Sequence, residues 1–305
     1  MTNGSRVNVV TGGLSYTGRY ITALLIRRGV KVRTITGHPT RPNPFGDQIE
    51  IRPLSFGNPD ELARSLEGAE VLFNTYWIRF PRGQLTFARA MANVKALIDA
   101  AKRAGVNRVI HISITSANRD SPLPYFRGKG CIEQYLMHSG ISYGILRPAL
   151  IFGPDDILLH NISWMLRRFP VFTIPGDGNY HVQPVGVDDL AQLAVELAAE
   201  NRDKAIDAVG PESFTFNELV ALLARTVGSS TRIIHVRPSV QLALARIFSW
   251  VTGDVTLTRD EIRGLMSDLL VSRSPPTAKT RFSEWLAHNA DTIGLRYRSE
   301  LSLRA

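Results

Sequence analysis

The sequence predicts a doubly wound α/β fold, a parallel sheet with helices on both faces, from three observations. A β-branched run closed by Thr11 meets Gly12-Gly13 and, after a short polar turn, an amphipathic segment that opens at Gly18. Strand-like and helix-like patterns then alternate as far as Arg147-Pro148. Glycine or asparagine marks the junctions at Gly29, Gly68, Gly105-Val106-Asn107 and Gly140, as repeated βα units require.

Taken in order, strands are expected over 6–11, 30–36, 49–53, 71–75, 108–114 and 142–146, with helices over 18–28, 60–66, 85–104 and 125–139. Beyond Pro148 the texture changes to short elements and loops such as Gly153-Pro154-Asp155-Asp156 and Pro175-Gly176-Asp177-Gly178. Helices follow over 188–200, 216–226, 240–252 and 259–270, with no regular strands between them. The organisation expected is a Rossmann-type nucleotide-binding core over 1–148, then 149–305 as remaining core elements plus a smaller, mostly helical substrate lobe. Residues 182–187 and 205–209 are the segments able to return to the main sheet.

Composition narrows the function. The 305 residues carry 36 basic and 27 acidic side chains, a net charge of +9. The basic residues are scattered, without the dense blocks or aromatic interleaving of nucleic-acid readers, so no nucleic-acid partner is expected. Single Cys131 rules out an internal disulfide framework. Residues 1–6 are polar with no signal-peptide pattern, and no apolar run approaches the ~18 residues of a spanning helix. A cytoplasmic monomer or homodimer is the expectation. His138, His160, His181, His235 and His288 have no metal-ligand spacing, so no metal is expected.

The opening strand, glycine turn and helix start form a pattern that lets main chain approach a pyrophosphate while the helix N-terminus faces its charge. Gly12 and Gly18 occupy the first and third glycine positions of a dinucleotide fingerprint, with Ser15 at the middle one. At the end of the second strand, Thr36-Gly37-His38-Pro39-Thr40-Arg41 holds no acid to accept a ribose 2′-hydroxyl and offers His38 and Arg41 to a 2′-phosphate. NADP(H) is therefore the expected cofactor, with NAD(H) as the alternative.

Tyr125 and Lys129 lie four apart on one helix and share a face. A phenol titrates near ~10. A fixed ammonium ~4 Å away contributes up to about 4 kcal/mol at an effective dielectric of ~20, roughly three pK units before desolvation takes some back, which would poise Tyr125 as an acid or base for a carbonyl or hydroxyl. Gly128 and Gly130 beside them imply that something packs close to that backbone. Tyr76 and Trp77 are placed to wall a pocket, with Arg79 or Arg82 for an anionic substrate. The segment 241–252 is amphipathic; packing on the sheet is the expected use, and a membrane or partner surface the lesser one.

Thr11–Gly18, Tyr125-x-x-x-Lys129, Leu146-Arg147-Pro148 followed by Ile151-Phe152-Gly153-Pro154, and Val185–Leu190 fall in the order and spacing of short-chain dehydrogenase/reductase proteins. The chain resembles the extended and atypical members, in particular the subgroup similar to the accessory subunit of respiratory complex I and to NmrA-like and epimerase-like proteins. The resemblance covers about residues 5–225. It implies that Gly12, Gly13 and Gly18 line the pyrophosphate and that Lys129 holds the nicotinamide ribose and lowers Tyr125. With them, Ser15, Tyr16, Thr17, Thr36, His38, Arg41, Thr75, Tyr76, Pro148 and Ile151 form the expected cofactor set.

Departures from the family pattern matter equally. Ile114 stands at the catalytic serine position, with Ser113 and Thr115 as neighbours and Thr115 the expected substitute. Tyr125 follows Thr115 by only ten positions, a short gap for the family's enzymes, and Ser55 replaces an acid that touches adenine in the family. The functional expectation is an oxidoreductase or epimerase-like enzyme acting on a hydroxyl or carbonyl of a small molecule. The alternatives are an NADPH-binding accessory subunit or redox sensor without turnover, and a membrane-associated lipid or quinone reductase.

Overall fold

The computed structural model describes residues 7–255 and 257–301. Residues 1–6, including the expected first residue of the opening strand, lie outside the described residues. The chain forms two compact units: residues up to Pro148 together with Val187–Ala208, and Ala149–Gly186 together with residues from Val209 onward.

The first unit contains strands β1 Val7–Thr11, β2 Lys31–Thr36, β3 Ile49–Pro53, β4 Ala69–Asn74, β5 Arg108–Ile112 and β6 Ser142–Pro148. Helices α1 Tyr16–Arg27, α2 Pro59–Leu66, α3 Phe87–Arg103 and α4 Pro124–Met137 connect them. From the second unit's stretch come β7 Leu150–Phe152, α5 Leu158–Arg168, β8 Val171–Pro175, β9 His181–Val182 and β10 Pro184–Gly186. The chain then returns to the first unit with α6 Val187–Ala199 and β11 Lys204–Ala208.

The seven strands of the first unit pair in the order β11-β6-β5-β4-β1-β2-β3, every pair parallel. Parallel strands are buried on both faces, and β5 accordingly reads Arg-Val-Ile-His-Ile with every residue buried. On one face α3 packs between α2 and α4; on the other α1 packs against α6. Ala90, Val94, Leu97, Ile98 and Ala101 give α3 a buried stripe at helical spacing that closes over Val9, Leu72 and Val109 of the sheet. Chain order reverses between β1 and β4, and ligands of open α/β sheets sit at the carboxyl ends of strands flanking such a reversal.

The second unit continues with β12 Phe214–Thr215, α7 Phe216–Thr226, β13 Arg232–Val236, α8 Pro238–Thr252, α9 Arg259–Met266 and α10 Phe282–His288. Three two-stranded ladders, β7 with β10, β9 with β12 and β8 with β13, surround a core built on Phe152, Leu159, Leu219 and Phe282. Two expectations change here. Val182 and Pro184–Gly186 fall in short ladders of the second unit, whereas Lys204–Ala208 joins the main sheet. The stretch expected to lack strands contains β13, whose Arg-Ile-Ile-His-Val run is too short and too exposed to announce itself by alternation.

Close packing dictates Gly18, since a Cβ there would collide with the Gly12 carbonyl group and α1 could not approach the turn. Gly18→Ala should therefore cost about 1–3 kcal/mol, read as a lowered urea midpoint. An unchanged midpoint would mean that the turn tolerates a wider helix approach.

Candidate functional site

The site begins where β1 ends. The Thr11 hydroxyl accepts the main-chain N–H of Thr75 at 2.7 Å and of Tyr76 at 3.1 Å, and the Thr75 hydroxyl donates to the Thr11 carbonyl at 2.6 Å. These bonds clamp together the strand ends that flank the reversal. Gly12 turns with φ +60°, a left-handed conformation that glycine adopts without steric penalty. The Gly13 N–H donates to the Thr34 hydroxyl at 2.8 Å, and Ser15 Oγ donates to the Gly12 carbonyl at 2.6 Å. Because Ser15 is turned inward, no side chain caps α1, and its first turn, Tyr16 to Gly18, holds no acid. A turn fixed from within and a helix N-terminus left uncapped and unacidic fit a pyrophosphate.

At the end of β2, buried Thr36 accepts the His38 N–H at 3.0 Å and the Arg41 N–H donates to the His38 carbonyl at 3.3 Å. His38 is exposed and Arg41 half-buried. No acid occurs between Thr36 and Gly46.

Helix α4 carries Tyr125, Lys129 and Glu133, and brings Lys129 to the end of β5 and Glu133 to Arg147 of β6. Gly128 lets it approach Trp77, whose indole would lie 2.9 Å from a Cβ there, and a Cβ on Gly130 would strike the backbone of Asn118 and Arg119. Tyr125 is half-buried, with ring centres 6.2 Å from Trp77, 6.0 Å from Phe87 and 5.7 Å from Phe126. Lys129 is buried; its Nζ donates to the Ile112 carbonyl at 2.7 Å and stands 4.9 Å from the centre of the Trp77 ring. Burial pushes its pKa down to about 7, against the opposing pull of Glu133. Burial thus opposes the charge that spacing alone would give this amine.

Glu133, which the sequence reading did not single out, is the hub. Its buried carboxylate takes Arg147 Nη2 at 2.5 Å and Nε at 3.0 and 3.1 Å, and it accepts the Ser113 hydroxyl. Ser113 is therefore committed to α4. Thr115, expected as the serine substitute, is fully buried, and its N–H donates to the Pro148 carbonyl at 3.0 Å. Ile151 lies on β7 of the second unit. The i,i+4 step from Lys129 to Glu133 was the available signal, readable only once β6 supplied Arg147.

A second polar group lies at the ends of β4 and β5. Asn74 Oδ1 accepts the Tyr76 N–H at 3.0 Å, which turns its Nδ2 toward His111 Nδ1, also 3.0 Å away. His111 then carries its proton on Nε2. Burial, aided by the charge of Lys129, holds His111 well below the usual histidine range. His111 Nε2 and Trp77 Nε1, both neighbours of Lys129, are buried without a hydrogen-bond partner among the described residues. Two such donors fit a ligand that brings acceptors.

Residues 12–156 match a family model described as NAD(P)H-binding. The chain is 24% identical to subunit 9 of the mitochondrial NADH dehydrogenase [ubiquinone] 1 alpha subcomplex of Arabidopsis thaliana, covering 87% of this chain and 71% of that one. It is 25% identical to a ceramide reductase of Caulobacter vibrioides, over 82% of this chain and 80% of the relative. Among solved structures, an NADPH-dependent quinone oxidoreductase from Escherichia coli in complex with NADPH superposes with a TM-score of 0.75 at 21% identity, over 92% of this chain and 99% of that one. The fold they share is that of an NAD(P)-binding protein.

The Lys129 shift has a definite sign. Its folded pKa, about 7, lies below its ordinary 10.5, so between those values the unfolded chain binds more protons and stability rises with pH. Urea midpoints compared at neutral and alkaline pH should show Lys129→Met losing part of the wild-type rise. Parallel profiles would contradict the burial of a titrating amine. Glu133→Ala, which strands Arg147 and Ser113, should cost about 3–5 kcal/mol.

Proposed function

We propose that this chain, a member of the atypical short-chain dehydrogenase/reductase-like NAD(P)-binding proteins, holds NADP(H) in the manner of an accessory subunit or redox sensor rather than an efficient dehydrogenase. The Gly12–Gly18 turn and the start of α1 would take the pyrophosphate. His38 and Arg41 would face a 2′-phosphate, and Lys129, with the Nε2–H of His111 and the Nε1–H of Trp77, would meet the ribose and nicotinamide end.

The observation that carries this reading is the fate of the serine. A relay to substrate needs a hydroxyl facing the reacting oxygen, a phenol and a charged amine. Here Ser113 donates to Glu133, Ile114 occupies the family's serine position, and Lys129 is held at a main-chain carbonyl with its pKa near 7. The Arabidopsis relative, named as a subunit of a larger dehydrogenase, supports the same reading.

A reductase is the second reading, favoured by Tyr125 in its aromatic surround of Trp77 and Phe87 and by the relative named as a ceramide reductase. When bound, a reduced nicotinamide supplies hydride. The chain's own part would be to hold the Tyr125 phenol as proton donor to a small-molecule carbonyl.

Thermal unfolding with added nucleotide tests the proposal. NADPH at a hundredfold excess over its Kd should stabilise by about 2.7 kcal/mol, NADH should protect less, and Arg41→Ala should narrow the difference. Equal protection of wild type by both would remove the assignment to NADP(H). Tyr125→Phe should keep NADPH protection intact. If wild type reduces a carbonyl or quinone with NADPH and Tyr125→Phe does not, the second reading replaces the first.

A further inference from the structure

We propose that α8 is a docking surface for an anionic lipid bilayer, lying in the plane of the interface. The helix packs on β8, yet among its residues only Ala245 is buried. Val240, Leu244, Ile247 and Val251 recur at helical spacing on its outer face, with Trp250 beside them, and all are exposed, Ile247 by 61% and Trp250 by 86%. Phe169 and Val171, also exposed, extend the apolar surface: the Phe169 ring lies 6.1 Å from that of Phe248 on α8.

The helix is held firmly enough to present this face. Phe248 also contacts the rings of Trp164 at 6.3 Å and Tyr297 at 6.0 Å. Gly253 ends α8 in a left-handed conformation, φ +65°. The Asp254 carboxylate then accepts the Tyr297 hydroxyl at 2.8 Å and the Glu300 N–H at 2.9 Å, tying the chain's last described turn beneath the helix.

Charge selects the occupant. From Val227 to Gly253 the sequence contains no acidic residue, while Arg232, Arg237 and Arg246 are exposed, and Arg168 lies over the Trp164 ring at 4.9 Å. A second copy paired about a two-fold axis on α8 would set these arginines against their own images with no carboxylate in the segment to receive them. An anionic headgroup layer receives them, while the apolar side chains enter the acyl boundary and Trp250 suits the interface. At 15 residues the helix is about 22 Å long, and no helix among the described residues is long and apolar enough to cross a membrane.

Co-sedimentation of the full chain with phosphatidylcholine vesicles, with and without phosphatidylglycerol, tests this. Binding is expected to the anionic vesicles, weakened by salt. Arg246→Ala should lower it roughly fivefold, and Ile247→Glu or Trp250→Glu more than tenfold. Because these positions are exposed, each variant should keep the wild-type unfolding midpoint and NADPH protection, which separates this proposal from the nucleotide assignment. Absence of binding to either vesicle, binding unchanged in Ile247→Glu, or a dimer in light scattering that Ile247→Glu dissolves would overturn it.

Discussion

The carboxylate of Glu133 lies between α4 and the sheet, and the arrangement of the site follows from how it is neutralised. A charge removed from water must be paired and hydrogen-bonded. Arg147 on β6 supplies the pair and Ser113, just past β5, the further bond. Those partners come from two adjacent strands, so the contact also sets how α4 crosses the sheet and where Tyr125 and Lys129 stand. Ser113, next to Ile114, is held on Glu133 by the same arrangement.

The nucleotide end obeys a different constraint. There the main chain itself must stay open to charge, and side chains that could fill it point away. Ser15 binds the Gly12 carbonyl instead of capping α1, and Thr11 and Thr75 close on each other across β1 and β4. On the proposed reading, binding and chemistry would rest on separate groups of residues, and one could be complete while the other is not. The polar pair of Asn74 and His111 joins the two regions and leaves donors beside Lys129.

The parallel sheet was legible because its strands are apolar on both faces and its turns carry glycine; β3 and α7 match their expected bounds residue for residue. Helix starts shifted by a residue or two, as at α1, which begins at Tyr16 rather than Gly18. The close approaches at Gly128 and Gly130 were readable from glycine's cost in a helix. Glu133 was not, since a carboxylate four residues after a lysine reads as a solvated pair until a strand far along the chain brings an arginine to it. The depressed pKa of Lys129 was hidden for the same reason: spacing gives the partner and burial gives the charge. An outward face for α8 was only the lesser expectation, because an amphipathic pattern shows that a helix has an apolar side but not what covers it.

Diffraction from crystals grown with NADPH tests the account most directly. It predicts the nucleotide's phosphates against the main chain of Gly12–Gly18, with the Ser113 hydroxyl still on Glu133 and Arg147 still paired. Density showing the Ser113 side chain rotated off Glu133 toward the nicotinamide, or the phosphates bound elsewhere, would contradict it.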